Sequence, residues 1–171
     1  MTNEAIQLGD LLDQFNTSDE VGQNRLVYNQ QWLRNQRALI LLGQEHDAQA
    51  TVDDYGNVSL DFPGQEISAP IATGSHMDTV RQGGRYDGLY GVLGGFCAIQ
   101  KLYQQGHLPK KPLRLISFSE EEGSRFPAAF TGLNYYTGHQ QVTPLVDEMG
   151  ITFDQARRDA VRQLQTIPGV R

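Results

Sequence analysis

The chain has 171 residues, of which 39% are hydrophobic and 20% charged, and it carries a net charge of −6. This length suits one domain with its own core, and the acidic balance argues against a nucleic-acid partner, which needs a basic surface. No apolar run reaches the ~20 residues of a membrane span, and no signal-peptide pattern opens the chain. The single cysteine, Cys97, excludes an internal disulfide, so we expect a cytoplasmic protein without a membrane partner.

The first part of the chain predicts two helices and a hairpin. Apolar residues at helical spacing indicate amphipathic helices over residues 3–17 and 28–46. Two short runs with β-forming residues flank an Asp/Gly/Asn cluster at 53–57, so residues 48–60 predict a hairpin.

The central part predicts a strand, a helix and a second strand. Residues 71–75 predict a short buried strand that places His76 at its carboxyl end, and residues 89–103 have the spacing of a helix. Residues 113–118 predict a second buried strand, which ends at the acidic triplet 120–122. Such a βαβ unit has parallel strands and a right-handed crossover.

Two further features accompany these helices. Glycine recurs at helical spacing near the start of the central helix, at Gly88, Gly91, Gly94 and Gly95. Because glycine weakens a helix, we attribute this pattern to close packing of the helix on the sheet. Cys97 lies in an apolar run of the same helix and is interpreted as a packing residue. Residues 154–165 predict a last amphipathic helix.

His76 and the acidic triplet follow predicted strands, where α/β proteins form their ligand sites. Neutral imidazole and carboxylates are ligands of zinc and neighbouring transition ions, and a carboxylate can bridge two ions. Asp78 is spaced to accept the second ring N–H of His76 and so fix its tautomer.

Each of these residues has a plainer interpretation when taken alone. His76 is then a polar residue after a strand, Asp87 is the N-cap of the following helix, and residues 120–122 are a solvated charge run. However, three acids directly after an apolar strand repel one another, and a cation would neutralise them. Taken together, the segments favour a two-metal hydrolytic centre.

Three motifs carry a resemblance to a known family: residues 74–80 (Gly-Ser-His-Met-Asp-Thr-Val), 83–88 (Gly-Gly-Arg-Tyr-Asp-Gly) and 120–126 (Glu-Glu-Glu-Gly-Ser-Arg-Phe). In this order they resemble the dinuclear-metal amidohydrolases of the allantoate amidohydrolase and N-carbamoyl-L-amino-acid hydrolase (β-ureidopropionase-like) group. This group lies within the zinc aminoacylase/carboxypeptidase superfamily. The resemblance implies an α/β, zinc-peptidase-like (phosphorylase/hydrolase-like) layered sheet with helices on both faces.

The resemblance also implies roles for the metal ligands. His76 would bind the first metal ion, Asp87 would bridge both ions, and Glu122 would bind the second. The cofactors would be two divalent ions, zinc or manganese. The substrate would be a linear amide, amidine or ureido compound, namely allantoate or an N-carbamoyl-L-amino acid.

For catalysis, the resemblance implies that Glu121 is the general base and that Asp78 orients His76. Glu121 would take a proton from the attacking water and pass it to the departing nitrogen. The choice of Glu121 over Glu120 rests on the resemblance alone. Arg125 is a candidate for binding a substrate carboxylate, with structural pairing to an acid as the alternative.

Members of this family are much longer, so we expect residues 1–171 to be the amino-terminal portion of the metal-dependent catalytic domain. The lid or dimerisation domain and the carboxyl-terminal part, with a further histidine for each ion, would be absent. Each ion would then keep two protein ligands, where zinc normally has at least three. We therefore expect weak metal binding and little activity from this polypeptide.

Two alternatives remain open at this point. The chain could be a catalytically inactive folded fragment that acts through protein contacts, or an aminoacylase or peptidase of the same superfamily. An incomplete catalytic domain also exposes a sheet edge, which predicts a homodimer or other self-association.

Overall fold

The computed structural model describes residues 7–16, 21–139 and 144–171. Its helices are α1 (Leu8–Phe15), α2 (Gln30–Glu45), α3 (Leu89–Gln104), α4 (Thr131–Tyr136) and α5 (Phe153–Gln165). Its strands are β1 (Gln49–Val52), β2 (Val58–Phe62), β3 (Ile71–His76) and β4 (Leu113–Phe118). None of the helices in the described ranges is long and apolar enough to cross a membrane.

The four strands form one mixed sheet in the order β1-β2-β4-β3. β1 and β2 form the predicted antiparallel hairpin, and β2 also pairs antiparallel with β4. β3 and β4 are parallel, joined by α3 as the βαβ pattern predicts. The predicted α/β class is therefore confirmed.

The helices predicted from periodicity are present with shifted ends. The first begins at Leu8 in the structure, and the predicted residues 3–6 and 17 lie outside the described ranges. α4 was not predicted, because six residues are too few for a helical period to show. It begins after Phe130, which has a left-handed φ of 59°.

The core lies between one face of the sheet and the longer helices. Trp32 of α2 and Phe96 of α3 are fully buried, as are the facing strand residues Leu60 and Leu115. Cys97 is only half-buried beside this core, and burial raises the pKa of its thiol, which suits a packing residue.

Two of the four glycines explain how closely α3 approaches the sheet. A Cβ on Gly91 would lie 2.7 Å from the Cβ of Ser75, and a Cβ on Gly95 would lie 2.9 Å from Leu115. Close packing is therefore the reason for these two, whereas Gly94 has no sheet atom nearby. Gly88 lies against the ring of His76, at the end of β3.

The opposite face of the sheet is more polar and carries α4. Arg114 of β4 donates two hydrogen bonds to the carboxylate of Asp61 in β2, at 2.6 and 2.8 Å. Tyr136 of α4 accepts a further bond from Arg114 and packs edge-on against Phe118. On this face, Tyr136 of α4 therefore contacts both the start and the end of β4.

β3 is the last strand of the sheet, and its residues 71–74 are exposed. The prediction of a buried strand is therefore wrong for these residues, because β3 pairs on one side only in the described sheet. A strand edge presents unpaired N–H and C=O groups, which pair readily with another strand. Ile71, 60% exposed, adds an apolar side chain to this edge.

We predict that the edge of β3 pairs with β3 of a second copy of this chain. Ile71→Lys should shift the protein towards monomer, because a charged side chain on an edge disfavours strand pairing. Sedimentation velocity over a concentration series measures the shift. Leu108→Lys, at a loop position that is 45% exposed, adds the same charge elsewhere and should leave association unchanged. A wild-type protein that stays monomeric at the highest concentration would contradict the prediction.

Candidate metal centre

The residues that the sequence analysis singled out lie at or beyond the carboxyl ends of β3 and β4. His76 is the last residue of β3 and lies opposite Phe118, the last residue of β4, in the parallel register. The acidic triplet follows β4, and Asp87 stands two residues before α3. The site therefore forms where parallel strands end, as expected for an α/β protein.

His76, Asp87 and Glu122 form a group that could hold a metal ion. Each offers one ligand atom, and these three atoms lie within 4.8 Å of one another. His76 is buried, Glu122 is half-buried and Asp87 is exposed, so the group opens to solvent on one side. One imidazole nitrogen and two carboxylates are a donor set that zinc and manganese accept.

The electrostatics of the two carboxylates also fit a cation. Burial, together with the hydrogen bond and the charge of the neighbouring Asp87, raises the pKa of Glu122 to about 7. The charge of Asp87 thus disfavours ionisation of Glu122, and a divalent ion between the two carboxylates would reverse that effect. The residues present therefore suit a divalent metal.

The ring of His76 is oriented by a main-chain carbonyl. Its Nδ1 lies 3.0 Å from the carbonyl oxygen of Asp78. Because a carbonyl can only accept a hydrogen bond, this contact selects, for the neutral ring, the tautomer with the proton on Nδ1 and the lone pair on Nε2. Nε2 lies 3.5 Å from Oε2 of Glu121, on the side where a ligand nitrogen is needed.

Asp78 holds the site together in a way that differs from the sequence-based expectation. Its carboxylate Oδ1 is 3.7 Å from His76 Nδ1, beyond a normal hydrogen bond. Oδ2 instead accepts the main-chain N–H of Glu121 at 2.9 Å and of Glu122 at 3.0 Å. Asp78 therefore orients the histidine through its carbonyl and the acidic triplet through its carboxylate.

Glu120 and Glu121 lie in different environments. Glu120 is 1% exposed, and burial together with the charge of Asp78 raises its pKa to about 9, so it is neutral near pH 7. Its φ of 50° turns the chain at this residue. The side chain of Glu121 is 29% exposed and faces His76 in a small cavity of about 190 Å³. This placement supports Glu121 as the candidate base.

Asp87 does not act as the cap of α3. The helix begins after Gly88, and no side-chain hydrogen bond caps it among the described residues. Gly88 has a φ of 62°, and a Cβ there would lie 2.5 Å from the ring of His76. Glycine at this position therefore lets the chain turn against the imidazole and leaves the Asp87 carboxylate free to face the site.

Arg125 forms structural contacts away from the ligand group. Its Nε donates to Oδ2 of Asp147 at 3.1 Å, and its Nη1 donates to the carbonyl of Val27 at 2.9 Å. It lines a surface groove of about 460 Å³ that contains none of the three ligand residues. The alternative of pairing with an acid is thus observed, and a substrate-binding role for Arg125 stays a prediction.

Sequence reasoning missed Asn57, which it interpreted as part of a turn. Asn57 is 2% exposed, and its Oδ1 accepts the N–H of Ser119 at 2.9 Å. Its Nδ2 donates to the carboxylate of Asp53 and to the carbonyl of Gly132. Asn57 therefore ties the start of the acidic segment to the hairpin and to α4. The turn chemistry was visible in the sequence, but these distant partners were not.

We predict that Asn57→Ala destabilises the fold by about 1–3 kcal/mol, because it leaves buried main-chain groups at Ser119 and Gly132 unpaired. Urea denaturation measures this loss. Gln104→Ala, at an exposed helical position, should stay close to wild type. Equal stability of the two variants would show that Asn57 does not hold the acidic segment.

Comparison with known proteins places these residues in a family context. Residues 72–164, which contain all three ligand residues, match the family model of peptidase family M20/M25/M40. An allantoate amidohydrolase of Bacillus subtilis (strain 168) is 37% identical over 153 residues, covering 87% of this chain and 37% of the relative. An N-carbamoyl-L-amino-acid amidohydrolase of Paenarthrobacter aurescens is 32% identical over 139 residues, covering 79% and 34%.

A solved structure gives the same picture. The crystal structure of a hydantoinase/carbamoylase family amidase from Burkholderia ambifaria superposes with a TM-score of 0.84 at 30% sequence identity. The match covers 90% of this chain and 40% of that chain. The chain thus spans well under half the length of the relatives it matches.

Proposed function

The chain belongs to peptidase family M20/M25/M40, and from this premise we propose that it forms the metal-binding part of an amidohydrolase centre. The reaction is cleavage of a C–N bond in a linear amide or ureido compound, either allantoate or an N-carbamoyl-L-amino acid. The names of the relatives support this substrate class. The observation that carries the proposal is the group of His76, Asp87 and Glu122 beyond the parallel strands.

In this proposal the three residues would hold divalent zinc or manganese. A bound metal supplies Lewis acidity and lowers the pKa of coordinated water. His76 contributes Nε2, because its Nδ1 proton is held by the Asp78 carbonyl. The carbonyl contact therefore selects the tautomer that a metal requires.

In this proposal, Glu121 transfers the proton from the attacking water to the departing nitrogen. Its carboxylate is partly exposed and lies beside His76, where it can accept a proton from the attacking water. The same carboxyl group then donates that proton to the departing nitrogen. Glu120 cannot share this task, because it is buried behind the site.

The activity of this polypeptide by itself is a separate proposal. Zinc sites in enzymes use at least three protein ligands for each ion, whereas the described residues supply three for the whole group. We therefore propose that this chain binds metal weakly and turns over little substrate without further ligands.

We predict that zinc and manganese bind to the chain and that Asp87→Ala weakens binding at least tenfold, because one of three donor side chains is removed. Titration calorimetry measures both affinities. Glu45→Ala removes an exposed acid elsewhere and should leave them unchanged. The metal-site proposal fails if the wild type binds neither ion at millimolar concentration, or if Asp87→Ala binds as well as the wild type.

We predict that Glu121→Gln lowers any hydrolysis of N-carbamoyl-L-amino acids or allantoate by about 10²–10⁴-fold, the usual contribution of a general base. Glu120→Gln should keep the wild-type rate, because the amide replaces a carboxyl group that is already neutral near pH 7. Ammonia release measures both rates. Equal losses in the two variants would remove Glu121 from the role of base, and cleavage of dipeptides alone would favour a peptidase.

A further inference from the structure

Arg25 is buried directly beneath the loop that follows His76. Its side chain is 0% exposed, and its Nε donates to the main-chain carbonyl of Met77 at 2.9 Å. Its Nη1 donates to the side-chain oxygens of Asn16 and Gln23, each at 2.9 Å. The guanidinium is therefore fixed from two sides and contacts the residue that follows His76.

The main chain around Arg25 holds the same loop. The N–H of Arg25 donates to the hydroxyl of Thr79 at 3.0 Å, and the N–H of Thr79 donates to the carbonyl of Arg25 at 3.1 Å. Gln23 and Gly83 exchange a pair of main-chain hydrogen bonds at 2.9 and 2.8 Å. The loop is thus tied to residues 23–25 at Met77, Thr79 and Gly83, on both sides of Asp78.

The charge of Arg25 also faces the acids of the site. Burial lowers the pKa of its guanidinium to about 10, while the charges of Asp78 and Asp87 oppose that shift. Burying a guanidinium is costly, and an apolar side chain of similar volume often stabilises a core as well. Core filling alone therefore does not account for an arginine here.

We propose that Arg25 is a positioning residue that fixes the tautomer of His76 before any metal binds. By holding Met77 and Thr79, it sets the peptide between them so that the carbonyl of Asp78 meets Nδ1 of His76. Nε2 is then ready to bind a metal. The consequence for metal affinity rests on the proposed function, whereas the effect on the tautomer does not.

The test compares Arg25→Lys with a matched variant, Arg114→Lys. Lysine keeps the positive charge but lacks the planar fork that reaches three acceptors. Arg114 forms a bidentate pair with Asp61 near the other end of β4, so its replacement tests a structural ion pair away from His76. Thermal unfolding monitors the fold, long-range ¹⁵N–¹H spectra of the metal-free imidazole report the tautomer, and zinc calorimetry reports the affinity.

We expect metal-free wild-type His76 to be protonated at Nδ1. In Arg25→Lys both tautomers should appear and zinc affinity should fall at least tenfold, whereas Arg114→Lys should lower the unfolding temperature and change neither readout. If Arg25→Lys fails to fold, Thr79→Val replaces it. This variant removes the hydroxyl that accepts the Arg25 N–H at nearly constant volume, and the same mixture of tautomers is expected.

The outcomes separate this inference from the proposed function. A wild type that binds zinc, together with folded Arg25→Lys or Thr79→Val variants that keep the Nδ1–H tautomer and the affinity, would overturn the inference and leave the function standing. If the wild type binds no zinc but has the Nδ1–H tautomer, and the variants show a mixture of tautomers, the proposed function is overturned and the inference is supported. A mixed tautomer in the wild type itself would also overturn the inference.

Discussion

The carboxylate and carbonyl of Asp78 join two segments that the sheet only brings near each other. Parallel pairing places the ends of β3 and β4 side by side, but it does not fix the residues beyond them. Asp78 supplies that connection, because its carbonyl meets His76 and its Oδ2 accepts the N–H groups of Glu121 and Glu122. Hydrogen bonds to a charged group contribute about 1.5–3 kcal/mol each, so this one residue couples the geometry of the imidazole to that of the acids.

Further supports surround this connection and balance its charge. Arg25 holds the loop of Asp78 from below, and Asn57 holds the start of the acidic segment from the hairpin. Asp87 and Glu122 lie where the site opens to solvent, and Asp87 helps to raise the pKa of Glu122. The guanidinium of Arg25 is buried on one side of the loop, and the carboxylates of Asp87 and Glu122 face each other on the other side. A divalent ion would fit between these two carboxylates.

Much of the fold follows from short-range pattern in the sequence. The apolar periods of α2, α3 and α5 and the turn residues between β1 and β2 predict those elements, and the strand–helix–strand order predicts parallel pairing. The resemblance of their motifs predicted the three candidate ligand residues, and the structure brings their side-chain donor atoms within 4.8 Å of one another. These are features that a few neighbouring residues determine.

What the sequence did not predict depends on backbone torsion or on distant contacts. The side chain of Glu120 is buried and that of Glu121 faces His76 because Glu120 has a left-handed φ. Few residues other than glycine adopt this φ, and the sequence pattern does not predict it. The exchange of roles between the carbonyl and the carboxylate of Asp78 depends on N–H groups more than forty residues away. Arg25 lies still further along the chain from its partners at Met77 and Thr79, so nothing near it in the sequence marks it as part of the site.

The position of His76 connects the open edge of the sheet to the proposed chemistry. His76 ends β3, and β3 is the edge strand of the described sheet, so a strand that paired with this edge would run beside the metal ligands. Strand pairing would order residues 71–76, and metal binding would order the ring of the last of them. Two events that stabilise the same segment are thermodynamically linked, and the linkage is reciprocal. Association at the edge of β3 and metal binding at His76 should therefore strengthen each other wherever the pairing leaves the imidazole accessible.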